Sequence, residues 1–136
     1  ARKGNFNYPE FPELEDFGEA SIKGENGASF YFRVDWLTPE KFRSWGDGRT
    51  VIMGTKGTIE LRKNIDICTE NGANQLYLFN NDGEFHLNLS GKVGCPSFGQ
   101  LILDCLNRTE KAMTQHQAIL AGETAVKLQM LADALD

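Results

Sequence analysis

The chain has 136 residues, of which 40% are hydrophobic and 24% charged, and 14 Lys and Arg against 19 Asp and Glu give a net charge of -5. This length suits one globular domain and excludes a complete dehydrogenase, which needs a nucleotide-binding domain as well as a substrate domain. The acidic balance argues against nucleic-acid binding, and no apolar run approaches the roughly 20 residues that span a bilayer. We therefore expect neither nucleic acid nor membrane among its partners.

The first predicted element is an extended segment over residues 1–16, because Pro9 and Pro12 disfavour a helix. Residues 17–136 are predicted to form a single domain. Within it, residues 17–90 follow a period of two, which is typical of strands with one buried face. After a first strand around Ala20, the alternation predicts strands at 28–36, 49–54, 58–63, 65–68, 75–79 and 84–90, with turns at Asn26-Gly27, 55–57, Asn71-Gly72 and 80–83.

The same alternation predicts that one side of the sheet carries mixed polar and aromatic residues. Such a face is either solvated, as is normal for an antiparallel sheet, or a hydrated interface with another subunit. The candidate interface residues are Tyr31, Arg33, Glu60, Arg62, Tyr77 and His86, with Asp35 and Asn88 on the same side.

The period becomes helical after residues 91–96. Ser97 with Gln100 predicts a capping box that opens a short helix to about Leu106, and Thr114 with Gln117 predicts a second one. The second helix carries an apolar stripe of Ala118, Ala121, Ala125, Leu128, Ala132 and Leu135. Strands followed by helices predict an α+β fold, with an open, largely antiparallel β-sheet and helices on one face.

The loop over residues 37–48 and its flanks contain the candidate substrate-binding residues Trp36, Arg43, Trp45 and Arg49. Indole rings stack on the apolar faces of sugars, and guanidinium groups clamp hydroxyls or carboxylates. The alternative is that the tryptophans cover the sheet edge and the arginines are solvated. His116, in the first turn of the second helix, is either a surface or capping residue or a further substrate contact.

Other signatures of chemistry are weak. No GxGxxG motif occurs, and Gly54 and Gly57 flank a predicted hairpin turn rather than a phosphate-binding loop. Asp82 and His86 have the spacing of a helical Asp-x-x-x-His motif but fall in a turn and a strand. Cys68, Cys95 and Cys105 lack CxxC spacing, so we expect reduced thiols and no metal site. An independent hydrolase using Cys95 or Cys105 is the weakest alternative.

Six segments together resemble the C-terminal part of Gfo/Idh/MocA oxidoreductases, the family of glucose–fructose oxidoreductase and inositol dehydrogenase. They are EDFGEASIK at 15–23, FRVDWLTP at 32–39, WGDGR at 45–49, GTKGTIELR at 54–62, DCLNRTE at 104–110 and AGETAVKLQ at 121–129. The resemblance spans nearly the whole chain. It implies the C-terminal-domain fold of these dehydrogenases, in which the sheet domain shapes the substrate pocket and its open face joins subunits.

The resemblance also implies that a Rossmann domain binding NAD or NADP lies upstream of Ala1 in the parent chain. The catalytic lysine of the family's Glu-Lys-Pro motif and the histidine of its Asp-x-x-x-His motif would lie there too, because Glu40-Lys41 follows a proline instead of preceding one. This chain alone is then expected to bind no cofactor, to hold no catalytic residue and to be inactive. Family members often carry Gln-Glu-His where this chain has Gln-His-Gln at 115–117, and the shift of about 100° around the helix weakens any transfer of a role to His116.

Two functions therefore stay open. The first is the substrate-binding and oligomerisation domain of an NAD(P)-dependent oxidoreductase acting on a sugar, polyol or related hydroxy or carbonyl compound. Its partners would be its own Rossmann domain, further copies of itself and the small-molecule substrate. The alternative is a stand-alone, non-catalytic binding or dimerisation module. Reduced thiols predict a cytoplasmic location in either case.

Overall fold

The computed structural model describes residues 1–68, 72–94 and 96–135, so Asn71 of one predicted turn and Cys95 lie outside the described residues. The chain divides into two compact units: Ala1–Leu37 with Ser97–Asp136, here the first unit, and Thr38–Pro96, here the second unit. Strand pairs in the described parts are antiparallel throughout. Two open sheets with two helices confirm the predicted α+β class.

The first unit contains a three-stranded sheet in the order β1-β2-β3. Its strands are β1 (Arg2–Gly4), β2 (Phe17–Lys23) and β3 (Ser29–Asp35). The helices are α1 (Pro96–Asn107) and α2 (Gln115–Asp133). Neither described helix is long and apolar enough to cross a membrane.

Helix α2 contacts β1, but the predicted stripe is buried only in part: Leu128 is half-buried, whereas Ala118, Ala121, Ala125 and Leu135 are exposed. Ala132 is buried, and Ala121, Ala125 and Leu128 line an apolar groove of about 400 Å³ that Ile22, Phe30 and Phe32 of the sheet close from the other side. A Lys3 ammonium that pairs with both Glu15 and Asp133 ties β1 to the last turn of α2.

The segment between β1 and β2 contains no helix, but it is a succession of bends and turns rather than the extended segment predicted: the Phe11 N–H donates to the Tyr8 carbonyl and the Leu14 N–H to the Phe11 carbonyl. Asp16, buried at its end, accepts hydrogen bonds from the Phe6 N–H at 2.9 Å and the Asn7 N–H at 2.7 Å. The Asn5 side chain bonds the carbonyls of Tyr8 and Phe11 at 2.8 Å each. These polar side chains provide hydrogen-bond partners for backbone N–H and C=O groups between the two strands.

The two predicted capping boxes have different outcomes. Thr114 caps α2 as predicted: its hydroxyl accepts from the Gln117 N–H at 3.1 Å, and the Gln117 side chain accepts from the Thr114 N–H at 3.0 Å. The box at Ser97 is wrong, because α1 already begins at Pro96 and Ser97 lies inside the first turn. Proline suits a first helical position because that residue has no intrahelical N–H partner to lose.

The second unit contains a four-stranded antiparallel meander in the order β4-β5-β6-β7. The strands are β4 (Arg49–Gly54), β5 (Gly57–Arg62), β6 (Gln75–Asn80) and β7 (Gly83–Asn88). One face is apolar and carries Ile52, Ile59, Leu61, Leu76, Leu78, Phe85 and Leu87. The other face is mixed, as the alternation predicts.

The strand predicted at residues 65–68 is absent, and the chain turns there instead. Asp66 is the cause, because its carboxylate accepts a hydrogen bond from the Cys68 N–H two residues later, at 3.0 Å. Aspartate commonly forms such a turn at the expense of a ladder. The turn brings the Asp66 carboxylate to the mixed face of the sheet.

Candidate functional site

The candidate site is the mixed face of the second unit. Strand register places Glu60, Tyr77 and His86 in one row across β5, β6 and β7, and places Arg62 beside Gln75 in the next row. All charges on these four strands lie on this face: Arg49 and Arg62 against Glu60 and Glu84. We call the set Arg49, Glu60, Arg62, Gln75, Tyr77, Phe79, Glu84 and His86 the mixed face.

Tyr77 and His86 form a stacked pair at its centre. The two ring centroids lie 4.5 Å apart with the ring planes 7° from parallel. The residues are directly opposite each other on β6 and β7, where cross-strand neighbours on one face approach most closely. Stacking therefore fixes both ring planes relative to the sheet.

Gln75 orients the His86 ring. Gln75 is fully buried with 0% exposure, and its side-chain N–H donates to the Ala73 carbonyl at 3.1 Å. Its side-chain oxygen is then directed at His86 Nε2, 2.7 Å away, and must accept from it. Nε2 is therefore the ring nitrogen that donates in this contact.

Asp66 orients Tyr77 in the same way. It is 1% exposed, and its carboxylate accepts the Tyr77 hydroxyl at 2.6 Å. This hydrogen bond raises the pKa of Tyr77 above its ordinary value, because the bond holds the protonated phenol next to a negative charge. Arg43 donates to the Asp66 carbonyl at 2.9 Å, so both the backbone and the side chain of Asp66 are hydrogen-bonded.

A concavity of about 210 Å³ lies next to the stacked pair and is lined by Glu60, Arg62, Asp66, Cys68, Tyr77 and Phe79. Arg62 Nε donates to Glu60 at 2.6 Å. Arg62 Nη1 is buried and has no acceptor among the described residues. Cys68 is exposed and carries a free thiol.

The other two candidate interface residues lie on the first unit's sheet. Tyr31 donates to Glu19 at 2.8 Å, which raises the pKa of Tyr31, and Arg33 donates to Asp35 at 2.7 Å. The Arg33 guanidinium lies 5.2 Å from the centroid of the Phe17 ring. Both residues share one face of their own sheet, as the alternation predicts, and their role in subunit contacts stays a prediction.

The candidate substrate-binding residues are divided between the units. In the second unit, Trp45 is 93% exposed, Arg43 is committed to the turn at Asp66, and Arg49 donates through Nε to Asp47 at 2.8 Å. In the first unit, Trp36 is 70% exposed and His116 is exposed near the start of α2. Trp45 thus fits the predicted stacking role best, because its ring is open to a ligand.

The Gly54–Gly57 segment does not form the phosphate-binding loop of a dinucleotide site. Gly54 and Gly57 flank the turn between β4 and β5, with no helix after them to present N–H groups to a phosphate. Gly57 is needed there for packing, since a Cβ would lie 2.4 Å from the Phe79 carbonyl oxygen. The described residues also contain no group of three or more His, Cys, Asp or Glu placed to hold a metal ion.

Sequence reasoning missed the two residues that organise the site. Asp66 interrupts an apolar run between Ile65 and Ile67, a faint signal of a turn rather than a strand. Gln75 gives no local signal, because nothing in its neighbours indicates that its amide is buried. Both contact aromatic side chains eleven residues away along the chain.

Comparisons with known proteins place this geometry in context. No protein-family model matches the chain, and no curated protein matches it. A solved structure from Erwinia carotovora atroseptica SCRI1043, named as a "putative oxidoreductase", is 43% identical with a TM-score of 0.82. The match covers 96% of this chain and 38% of the Erwinia chain. The chain therefore has an oxidoreductase-related α+β fold and spans well under half the length of that protein.

Proposed function

We propose that this chain is the substrate-binding and oligomerisation domain of an NAD(P)-dependent oxidoreductase of the Gfo/Idh/MocA type. The observation that carries the proposal is the 43% identity over 96% of the chain to only 38% of an oxidoreductase-named protein. The six sequence segments that resemble that family support the same assignment. The dinucleotide would bind to a separate Rossmann domain upstream, in the cytoplasm.

The proposed substrate is a sugar, polyol or related hydroxy or carbonyl compound. In such an enzyme the nicotinamide exchanges a hydride with a carbon that bears a hydroxyl or carbonyl oxygen. This chain's contribution is to bind and orient that substrate, with the exposed Trp45 indole against the sugar face and Arg49 near the hydroxyls. The subunits would be joined by other residues of the two sheets, namely Tyr31, Arg33, Glu60, Arg62, Tyr77 and His86.

The decisive test is the genomic reading frame before Ala1. A strand–GxGxxG–helix pattern there supports the proposal, whereas a start codon directly before Ala1 favours a stand-alone binding module. The chain alone, incubated with NADH or NADPH and a panel of aldoses and polyols, should leave the nicotinamide absorbance unchanged. Turnover by these 136 residues would contradict the assignment.

Substrate binding has its own test. Titration of the chain with the same aldoses and polyols should change tryptophan fluorescence, and Trp45→Ala should remove most of that change. Trp36→Ala is the matched control, because it removes the other exposed indole. Loss of the signal with Trp36→Ala alone would move the proposed contact to the first unit.

A further inference from the structure

We propose that Asp47 makes this chain select uncharged polyhydroxy substrates over sugar acids, because it pairs with Arg49 and the two side chains together bind neighbouring hydroxyl groups. This inference rests on the proposed function, in which Trp45 and Arg49 contact the substrate. It adds the charge class of that substrate and a residue that determines specificity.

The Asp47 carboxylate already occupies one edge of the Arg49 guanidinium. Arg49 Nε donates to Asp47 Oδ2 at 2.8 Å, and Arg49 Nη2 donates to the same oxygen. A guanidinium clamps carboxylates well because its fork of N–H donors matches their two oxygens. A substrate carboxylate would therefore meet a guanidinium whose charge is neutralised and whose Nε–Nη2 edge is taken.

The other two arginines of the second unit also have acceptors within the chain. Arg62, directly opposite Arg49 on β5, donates through Nε to Glu60 at 2.6 Å. Arg43 donates to the Asp66 carbonyl at 2.9 Å. A substrate carboxylate therefore gains less from these arginines than it would from one without an intramolecular acceptor.

The Asp47–Arg49 pair suits hydroxyl groups better than a carboxylate. A hydroxyl both donates and accepts a hydrogen bond, whereas an ionised carboxylate only accepts. Two neighbouring hydroxyls can accept from Arg49 and donate to Asp47 at the same time, while a carboxylate in their place would be repelled by Asp47. Both side chains are open to such a ligand, since 47% of the Arg49 side chain and 24% of the Asp47 side chain are exposed.

The segment that carries the pair is held against the end of β5. The Lys63 N–H donates to the Gly48 carbonyl at 2.7 Å, which continues the β4–β5 ladder beyond Arg49. The two chains are close there, because a Cβ at Gly48 would lie 3.1 Å from the Cβ of Lys63. Asp47 and Arg49 therefore project from an ordered backbone, and the exposed Trp45 precedes Asp47 by two residues. Such preorganisation lowers the entropic cost of binding.

Binding of matched neutral and acidic compounds tests the inference. Isothermal titration calorimetry at pH 7 and low ionic strength would use pairs in which one CH₂OH group is oxidised to a carboxylate: glucose with glucuronate, galactose with galacturonate, and glucitol with gluconate. The neutral member should bind more tightly than its acid. Asp47→Asn, which retains the shape of the side chain but removes its charge, should lower this ratio of affinities about fivefold or more.

Two further variants assign the effect to this pair. Asp35→Asn is the matched control, because Asp35 accepts a hydrogen bond from Arg33, two residues away, at 2.7 Å in the first unit. It should leave the ratio of affinities unchanged. Adding Arg49→Gln to Asp47→Asn should abolish the gain in affinity for the acids, since the double variant has no guanidinium at position 49.

The outcomes separate the inference from the proposal beneath it. An unmodified chain that binds the acids at least as tightly as the neutral compounds overturns the inference and leaves substrate binding by this chain standing. A ratio that Asp47→Asn shifts no further than Asp35→Asn does overturns it too. If neither the unmodified chain nor Asp47→Asn binds any of the six compounds, the substrate-binding part of the proposed function is wrong, and the inference with it.

Discussion

The two units use buried polar residues differently. In the first unit, buried carboxylates hold connections: Asp16 binds the backbone before β2, and Asp104 binds Gln100, Thr109 and the Ala112 N–H in the link between the helices. In the second unit, the buried Asp66 and Gln75 hold aromatic side chains on an exposed sheet face. Burying polar side chains costs desolvation energy, and a binding surface needs side chains that are held in a fixed geometry. We therefore place the candidate site on this sheet face.

The largest expected effect comes from removing the central anchor of the second unit. Asp66→Ala should lower the free energy of unfolding by about 3 kcal/mol, because the Tyr77 hydroxyl and the Cys68 N–H lose their acceptor. Glu19→Ala, which removes the acceptor of the exposed Tyr31, should change it little. Urea denaturation measures the free energy of unfolding of both variants. Equal losses would contradict the difference between the buried Asp66 bonds of the second unit and the exposed Glu19 bond of the first.

Removing only the hydroxyl groups of Tyr77 and Tyr31 should affect stability differently. Tyr77→Phe should lower the free energy of unfolding by about 1.5 kcal/mol, because the buried Asp66 carboxylate loses one donor. Tyr31→Phe should have no measurable effect, since water replaces its exposed bond to Glu19.

The raised pKa of Tyr77 adds a pH dependence to that comparison. The folded state favours the protonated phenol, so the stabilisation is complete below the ordinary tyrosine pKa of about 10 and is lost as pH rises through the folded value. Stability measured above pH ~10 should therefore fall more steeply in the unmodified chain than in Tyr77→Phe. Parallel pH profiles would contradict the Tyr77–Asp66 bond.

Asp104 provides the acid-side counterpart in the first unit. Hydrogen bonds from the Ala112 N–H, Thr109 and Gln100 hold the pKa of Asp104 well below its usual value. Its stabilisation is present above the unfolded pKa of about 4 and is lost as pH falls toward the folded value. Thermal unfolding below pH ~4 should show a smaller loss in Asp104→Asn than in the unmodified chain. An identical acid profile in both chains would show that Asp104 is not the titrating group.

The smallest expected effect concerns two left-handed residues, one in each unit. Arg108, directly after α1, has φ of 55° and Asn74 has φ of 61°. Arg108→Gly should raise the free energy of unfolding by roughly 0.5 kcal/mol, because glycine adopts this conformation without strain. Asn74→Gly should gain less, since asparagine already tolerates it. Thermal unfolding of the two variants measures which one is stabilised more. A larger stabilisation by Asn74→Gly than by Arg108→Gly would contradict the prediction.

The sequence by itself determined what depends on near neighbours. The period of two assigned the correct side chains to each sheet face, Asn26-Gly27 and residues 55–57 marked real hairpins, and Thr114 with Gln117 marked the start of α2. These features follow from backbone sterics and hydrogen bonds within a few residues, so a local pattern suffices.

Only the tertiary structure decided how those elements make a site. Residues 65–68 form a turn in which the Asp66 carboxylate accepts from the Cys68 N–H and from the distant Tyr77 hydroxyl. The buried Gln75 side chain meets His86, which lies on β7 opposite Tyr77. The grouping of the strands into two sheets is equally non-local. The reason is physical: the free energy of burying a polar group depends on whether a partner meets it, and that partner is brought by folding rather than by adjacency.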